Sequence, residues 1–286
     1  MSKSRPFLKK HLRRLRYALA CLRHRPMPAA DWEGPVDIVI TAIEKDIDVL
    51  PRCVEGVRRC VPHTIAALYL VAPDTEVMRS IALELGMEFV DERAVLGFGP
   101  KDLHIITADG QDRSGWMYQQ LLKLAGTIGS SPHFLVIDAD HILLRPHTFV
   151  DQQGRTVMYR SSEYHRPYYG AMQRLLGIAR EEPLSYVAHK MMFDRRRLAQ
   201  MRADIESRSG KKWYQAIIDQ LDLAGPSPFS EYETYGHYLR ADEKISLPWR
   251  QKTLRKAASV PDYQTLVDRY GRKLSITFPD YLKLHK

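Results

Sequence analysis

A run of four apolar residues, Phe134-Leu135-Val136-Ile137, ends at two carboxylates one residue apart, Asp138 and Asp140. An unbroken apolar stretch of this length between polar residues predicts a strand buried on both faces, the kind found in a parallel sheet. Parallel strands need crossover segments between them, and the chain supplies the alternation upstream. Asp37 to Ala42 predicts a first strand and Val49 to Cys60 the helix after it. Ile65 to Val71 predicts a second strand, Val77 to Leu85 a helix, and Met87 to Val90 a short third strand. Trp116 to Ala125 is then the helix leading into the strand that stops at Asp138. The expected class is α/β, a Rossmann-like, mostly parallel central sheet flanked by helices, with right-handed crossovers. No internal repeat is visible, and no Gly-x-Gly-x-x-Gly or Walker-type loop accompanies the strands, which argues against a dinucleotide enzyme or a P-loop ATPase.

Ligands of open α/β sheets collect just outside the carboxyl ends of the strands, so Asp138 and Asp140 land at the expected ligand edge. Two hard oxygen donors there suit Mg²⁺ or Mn²⁺, which keep some waters and bridge a substrate's phosphates. The competing reading of a lone Asp-x-Asp is a solvated turn.

With 286 residues and 44% hydrophobic content the chain can bury a sizeable core, which excludes disorder. Cys21, Cys53 and Cys60 form neither a paired framework nor a zinc spacing, so reduced thiols in a cytosolic setting are expected. The net charge of +9 suggests nucleic acid until its location is considered. Residues 1–25 hold nine Lys and Arg and the first acid is Asp31, which leaves 34 bases against 34 acids in the remainder. The body is neutral, and no nucleic-acid partner is expected. Within the arm, Leu8, Leu12, Leu15, Leu19 and Leu22 follow at spacings of four, three, four and three, one face of a helix with arginines around it. Such a helix reads as an anchor on an anionic membrane surface. The alternative is that its leucines pack on the protein's own body. The apolar stretch Tyr17 to Leu22 is too short to span a bilayer or form a signal-peptide core. The expected location is therefore cytoplasmic, peripheral on the inner face of the cell membrane.

Several blocks together resemble the GT-A type nucleotide-sugar glycosyltransferases, in particular a bacterial group associated with surface polysaccharide, and more distantly the retaining transferases related to glycogenin. Asp37-Ile-Val-Ile-Thr-Ala-Ile-Glu44 is similar to the first strand of that fold, and Arg113-Ser-Gly-Trp-Met-Tyr-Gln-Gln-Leu-Leu-Lys123 to the helix before the metal strand. Phe134 to Asp140 is similar to the metal strand and Tyr186-Val-Ala-His-Lys-Met-Met-Phe-Asp194 to the strand flooring the acceptor side. Ser230-Glu-Tyr-Glu-Thr-Tyr-Gly236 resembles the acidic segment near the reacting carbon. The resemblance covers residues 34–286, after the basic arm over 1–33, and implies a single transferase domain there, with a nucleotide-binding half at 34–150 and an acceptor half at 151–286. It further implies a nucleoside-diphosphate sugar donor, expected to be a UDP-sugar, and a polysaccharide, lipopolysaccharide or lipid-linked glycan as acceptor.

Within that frame Asp140 is the expected metal ligand, and Asp138 contacts the metal through water or holds the ribose. Thr41 and Ala42 are expected at the base and ribose, with Arg113, Gln120 and Lys123 completing the donor set. Glu231 and Glu233 follow a Gly225-Pro226-Ser227-Pro228 loop, so a turn-like segment projecting both acids into a cleft is expected. One of them would be a general base or stabilise a cationic reacting centre. The competing reading is a helix capped by Ser230 and running through Tyr235 and Leu239. His189, read within a strand from Tyr186 to Phe193, is a catalytic candidate, and His237 and His285 are candidate third metal ligands. Two rival functions stay open: a phosphatase using Asp138 and Asp140, and a catalytically silent membrane-associated scaffold on the same fold.

Overall fold

The computed structural model describes residues 4–23, 32–180, 183–248, 251–254 and 259–279, with side chains from residue 10 onward. His285 and residues 24–31 of the arm lie outside the described residues. In chain order the elements are α1 (Ser4–Arg23), β1 (Val36–Thr41), α2 (Leu50–Cys60), β2 (Ile65–Ala72), α3 (Glu76–Glu84), β3 (Glu88–Asp91), α4 (Glu92–Leu96) and α5 (Ser114–Ala125). There follow β4 (His133–Asp138), β5 (His141–Leu143), β6 (Thr156–Arg160), α6 (Arg166–Leu176), β7 (Lys190–Asp194), α7 (Arg195–Ser209) and α8 (Trp213–Asp219). The last described elements are α9 (Glu231–Tyr238), β8 (Lys244–Pro248), β9 (Gln251–Thr253), α10 (Tyr263–Tyr270) and β10 (Ser275–Thr277).

The central sheet has the order β3-β2-β1-β4-β7. Its first four strands are parallel, and each expected strand and helix from Asp37 to Asp138 is present within two residues of its predicted ends. Both faces are covered, as a continuous apolar strand requires. Val36, Ile38 and Ile40 of β1 pack with Cys53, Val54 and Val57 of α2 on one side. Val39, on the opposite face, joins Leu121 of α5 and Leu198 of α7. The carboxyl ends of β1 and β4 sit side by side, because Thr41 and Asp138 are register partners.

The fifth strand corrects the expectation. β7 begins at Lys190, not Tyr186, and pairs antiparallel with β4, Lys190 opposite Ile137. The reversal brings the residue just before the strand, His189, to the edge where β4 ends, and its carbonyl accepts the Asp138 amide at 2.9 Å. The segment 230–236 is also not turn-like. Ser230 caps α9, its Oγ accepting the Glu233 amide at 3.2 Å, so the capping reading holds for Ser230. Two smaller sheets, β5-β10-β9 and β6-β8, complete the chain, and β10 brings the Phe278 amide onto the carbonyl of Asp140 at 3.0 Å.

The arm is helical over Ser4–Arg23, and no described helix is long and apolar enough to cross a membrane. Four leucines of the stripe do not pack on the body: Leu12, Leu15, Leu19 and Leu22 are all exposed, while the side chain of Leu8 lies outside the described ones. All three cysteines are free and buried.

A buried network at the opposite end of the sheet locks β1 to α7. Asp37 of β1 accepts hydrogen bonds from the Ser131 amide and hydroxyl, each at 2.8 Å, and from Arg195 at 3.2 Å. Arg195 also donates to the carbonyls of Ile128 and Ser131, both at 2.9 Å. Gly129 occupies the left-handed region at φ +73°, and a Cβ there would stand 2.2 Å from the Asp37 carboxylate, so only glycine fits. Asp37→Ala should therefore lower the unfolding free energy by about 3 kcal/mol, since it strands two buried donors and leaves the half-buried Arg195 without its counter-charge. Urea unfolding monitored by circular dichroism checks this, and a loss below ~1 kcal/mol would show that the network is not a stabilising one.

Candidate active site

The carboxyl edge of the sheet opens into a cavity of about 540 Å³. One wall is a single face of α5, with Trp116, Gln119, Gln120 and Lys123 at helical spacing and Arg113 just ahead of them. The floor is Thr41, Asp138, Ala139 and Asp140, and the far wall is His189 with Ser230, Glu231 and Tyr232 from the start of α9. Glu163, Tyr164, His165 and Tyr168 form the rim.

Asp138 is fully engaged. Its Oδ1 accepts from Lys123 Nζ at 2.6 Å and from the Tyr232 hydroxyl at 2.9 Å, and its Oδ2 faces His189 Nδ1 at 3.0 Å. Burial alone would push this carboxyl upward, yet Lys123 and then His189 hold it well below the usual carboxylate range. Lys123 is itself buried and continues to Glu231 Oε1 at 2.9 Å, so one ammonium bridges two carboxylates. The Gln120 amide, nitrogen inward, donates to both oxygens of the Glu231 carboxylate, Oε2 being the nearer. Burial raises Glu231, with Lys123 opposing it.

Asp140 is the contrast. Its Oδ1 is buried with no hydrogen-bond partner among the described residues. Burial, aided by Asp138 and Asp46 against an opposing His189, pushes its carboxyl up to about 6. An unpartnered buried carboxylate is unfavourable unless a cation completes it. Asp138, Asp140 and His189 each bring a ligand atom within 4.8 Å of the others, the one such group of three among the described residues. His189 holds its backbone at φ +59°, an uncommon conformation for a residue with a side chain, as is frequent at functional sites. The opposite charge has its own orphan. Arg113 lies with its guanidinium 4.9 Å above the Trp116 ring and its Nε buried without a partner. Burial draws the Arg113 pKa down, which an anion beside it would reverse.

The structure thus brings together Thr41, Arg113, Gln120, Lys123, Asp138, Asp140, His189 and Glu231. Ala42 is not at the cavity: it is buried in the core beside α2, its amide bonded to the Val71 carbonyl. Glu233, expected beside Glu231, is turned inward by the helix, since residues two apart on a helix do not share a face. It accepts from Tyr169 at 2.8 Å, Ser185 Oγ at 2.5 Å and the Tyr186 amide at 3.3 Å, and so fastens the segment leading to His189. His237 lies one turn further on, with Nδ1 2.9 Å from the Glu233 carbonyl and its ring against Tyr186, and is not part of the three-residue ligand group. That group takes His189 where the sequence reading offered His237. Lys123, expected to face the diphosphate or sugar hydroxyls, is committed to Asp138 and Glu231. Sequence reasoning missed Tyr232, although it lies inside the acidic block, and the Glu163–His165 rim, which carries no pattern to find it by.

The profile of a family described as "Family of unknown function (DUF6492)" matches residues 39–269. No curated protein matches the chain. Among solved structures it is similar to mouse xyloside xylosyltransferase 1 in its apo form, with a TM-score of 0.47 and 12% identity over 88% of this chain and 100% of that one. It is also similar to galactosyltransferase LgtC in complex with donor and acceptor sugar analogs, with a TM-score of 0.46 and 14% identity over 85% of this chain and 87% of that one. A third is the apo bifunctional glycosyltransferase WbbM, with a TM-score of 0.45 and 11% identity over 90% of this chain and 48% of that one.

If the Asp140 carboxylate awaits a cation, Mn²⁺ should raise the melting temperature of the wild-type protein, an ion at a hundredfold excess over Kd adding about 2.7 kcal/mol. Asp140→Asn should melt no lower than wild type without metal, because it removes an unfavourable buried charge, and should lose the Mn²⁺ response. An undiminished response in the variant would place the cation elsewhere.

Proposed function

The chain belongs to the DUF6492 family, and we propose that it is a metal-dependent glycosyltransferase moving a sugar from a nucleoside-diphosphate sugar to a glycan or glycolipid acceptor. The observation that carries this reading is the pair of unpartnered buried groups in one cavity, Asp140 Oδ1 and Arg113 Nε, which call for a cation and an anion side by side. A metal ion on a diphosphate meets both demands. Two carboxylates and an imidazole suit Mn²⁺ better than Mg²⁺, because nitrogen ligands favour the softer ion. The sequence blocks around Asp37, Arg113, Asp138 and Ser230 support the same reading by their resemblance to nucleotide-sugar transferases, and a UDP-sugar is the donor to test first.

Asp140 and His189 would hold the ion, with Asp138, whose oxygens are already paired, meeting it through water, and when bound it would offset the negative charge that develops on the departing diphosphate. Arg113 would take an anionic oxygen of the same group. Thr41, at the end of β1, would contact the nucleoside. Glu231 would act on the sugar: Lys123 and Gln120 fix its carboxylate at the cavity wall, and burial makes it a stronger proton acceptor than a solvated glutamate. That suits removal of the acceptor hydroxyl proton or stabilisation of a cationic reacting carbon.

A phosphatase reading requires Asp138 as attacking nucleophile, and its oxygens are taken up by Lys123, Tyr232 and His189. An inert scaffold has no use for a half-buried carboxylate whose inner oxygen has no partner among the described residues, which weighs against the other rival.

In a screen of nucleotide sugars with Mn²⁺, a UDP-sugar should stabilise the protein in a metal-dependent way. Glu231→Gln should then reduce turnover by about 10²- to 10⁴-fold with donor affinity nearly unchanged, the mark of an interaction made mainly in the transition state. Wild-type turnover in the variant would make Glu231 a support for Lys123 and nothing more.

A further inference from the structure

Helix α1 meets the body through one face and turns its leucines away from it. Arg13 donates from Nε to the Ser162 carbonyl at 2.8 Å and lies over the Tyr164 ring at 5.0 Å, and Tyr17, Ala20 and Cys21 continue the covered side. At 100° per residue, positions 13, 17, 20 and 21 centre on the side of the helix opposite positions 12, 15, 19 and 22. The second set is Leu12, Leu15, Leu19 and Leu22, exposed at 47%, 56%, 44% and 70%. Four exposed leucines in one stripe on a helix otherwise fixed to the body form an apolar face without a partner among the described residues. The helix as a whole carries seven Lys and Arg and no acid between Ser4 and Arg23.

We infer that the leucine face of α1 is a docking surface for an anionic lipid bilayer. An interfacial helix needs an apolar stripe to enter the headgroup boundary and cations to meet the headgroups, and α1 offers both. Another protein would need an acidic surface with an apolar groove, and a second copy of α1 would set cation against cation. The anchor also has a place relative to the cavity. The residues that Arg13 holds, Ser162 and Tyr164, flank Glu163 at the rim, so the bilayer would lie beside the mouth of the active site. Taken with the transferase reading, on which this last step rests, the acceptor is then a glycan tethered to the membrane, delivered at the Glu163–His165 rim.

The test is co-sedimentation of the full chain with vesicles of phosphatidylcholine, with and without an equal part of phosphatidylglycerol, at low and high salt. Wild type should bind the phosphatidylglycerol vesicles at least tenfold more tightly than the neutral ones, and high salt should weaken that binding. Leu15→Asp/Leu22→Asp should lose binding at least tenfold while keeping the wild-type melting temperature and Mn²⁺ response, since both side chains are mostly exposed. Failure of wild type to bind the anionic vesicles, or equal binding by the double variant, would overturn the inference, as would a wild-type dimer that the double variant converts to monomer. Vesicle binding without metal-dependent nucleotide-sugar binding would leave the docking surface standing and remove the transferase reading instead.

Discussion

The site depends on one buried ammonium. Lys123, in the last turn of α5, reaches across to β4 and α9 and bridges Asp138 and Glu231. Without a cation there, three carboxylates, those of Asp138, Asp140 and Glu231, would crowd one partly dry cavity, an arrangement that burial makes strongly unfavourable. With it, each acid acquires a separate character. Asp138 is paired three ways and stays ionised, Glu231 is fixed in position but raised by burial, and Asp140 is left with an unanswered oxygen. Environment, not residue type, divides the work among chemically similar groups.

The geometry that allows this comes from the sheet. Parallel β1 and β4 end at the same edge, and the antiparallel β7 starts there, so two strand ends and one strand beginning meet at Thr41, Asp138 and His189. Glu233 and the Tyr186 amide fix the approach to β7 from behind, and the Phe278 amide fastens the Asp140 carbonyl from β10. The cavity is thus supported by residues that never face it.

The first half of this arrangement was legible in the sequence, because buried parallel strands write themselves as apolar runs and helices as amphipathic stretches. Asp138 and Asp140 could be placed at a ligand edge for that reason alone. Strand direction carries no such signature, so the apolar run from Tyr186 to Phe193 points to a strand that includes His189, which in fact precedes it, and leaves His237 and His285 as the third ligand candidates. The Gly225-Pro226-Ser227-Pro228 loop suggested that the acids after it were in a turn. Ser230 caps a helix instead, and helical spacing sends Glu231 and Glu233 to different faces. The leucine stripe of the arm was plain from spacing. Which face meets the body was not, since that rests on the contact of Arg13 with Ser162, 149 residues away in sequence. Strands of three residues such as β5, β9 and β10 are too short to show any period.

The division between the two acids is the central claim, and anomalous diffraction from crystals grown with Mn²⁺ and UDP tests it most directly. A single manganese peak is expected in contact with the Asp140 and His189 side chains, with Lys123 still bonded to Asp138. A peak away from Asp140, or one that has displaced Lys123 from Asp138, would contradict the account.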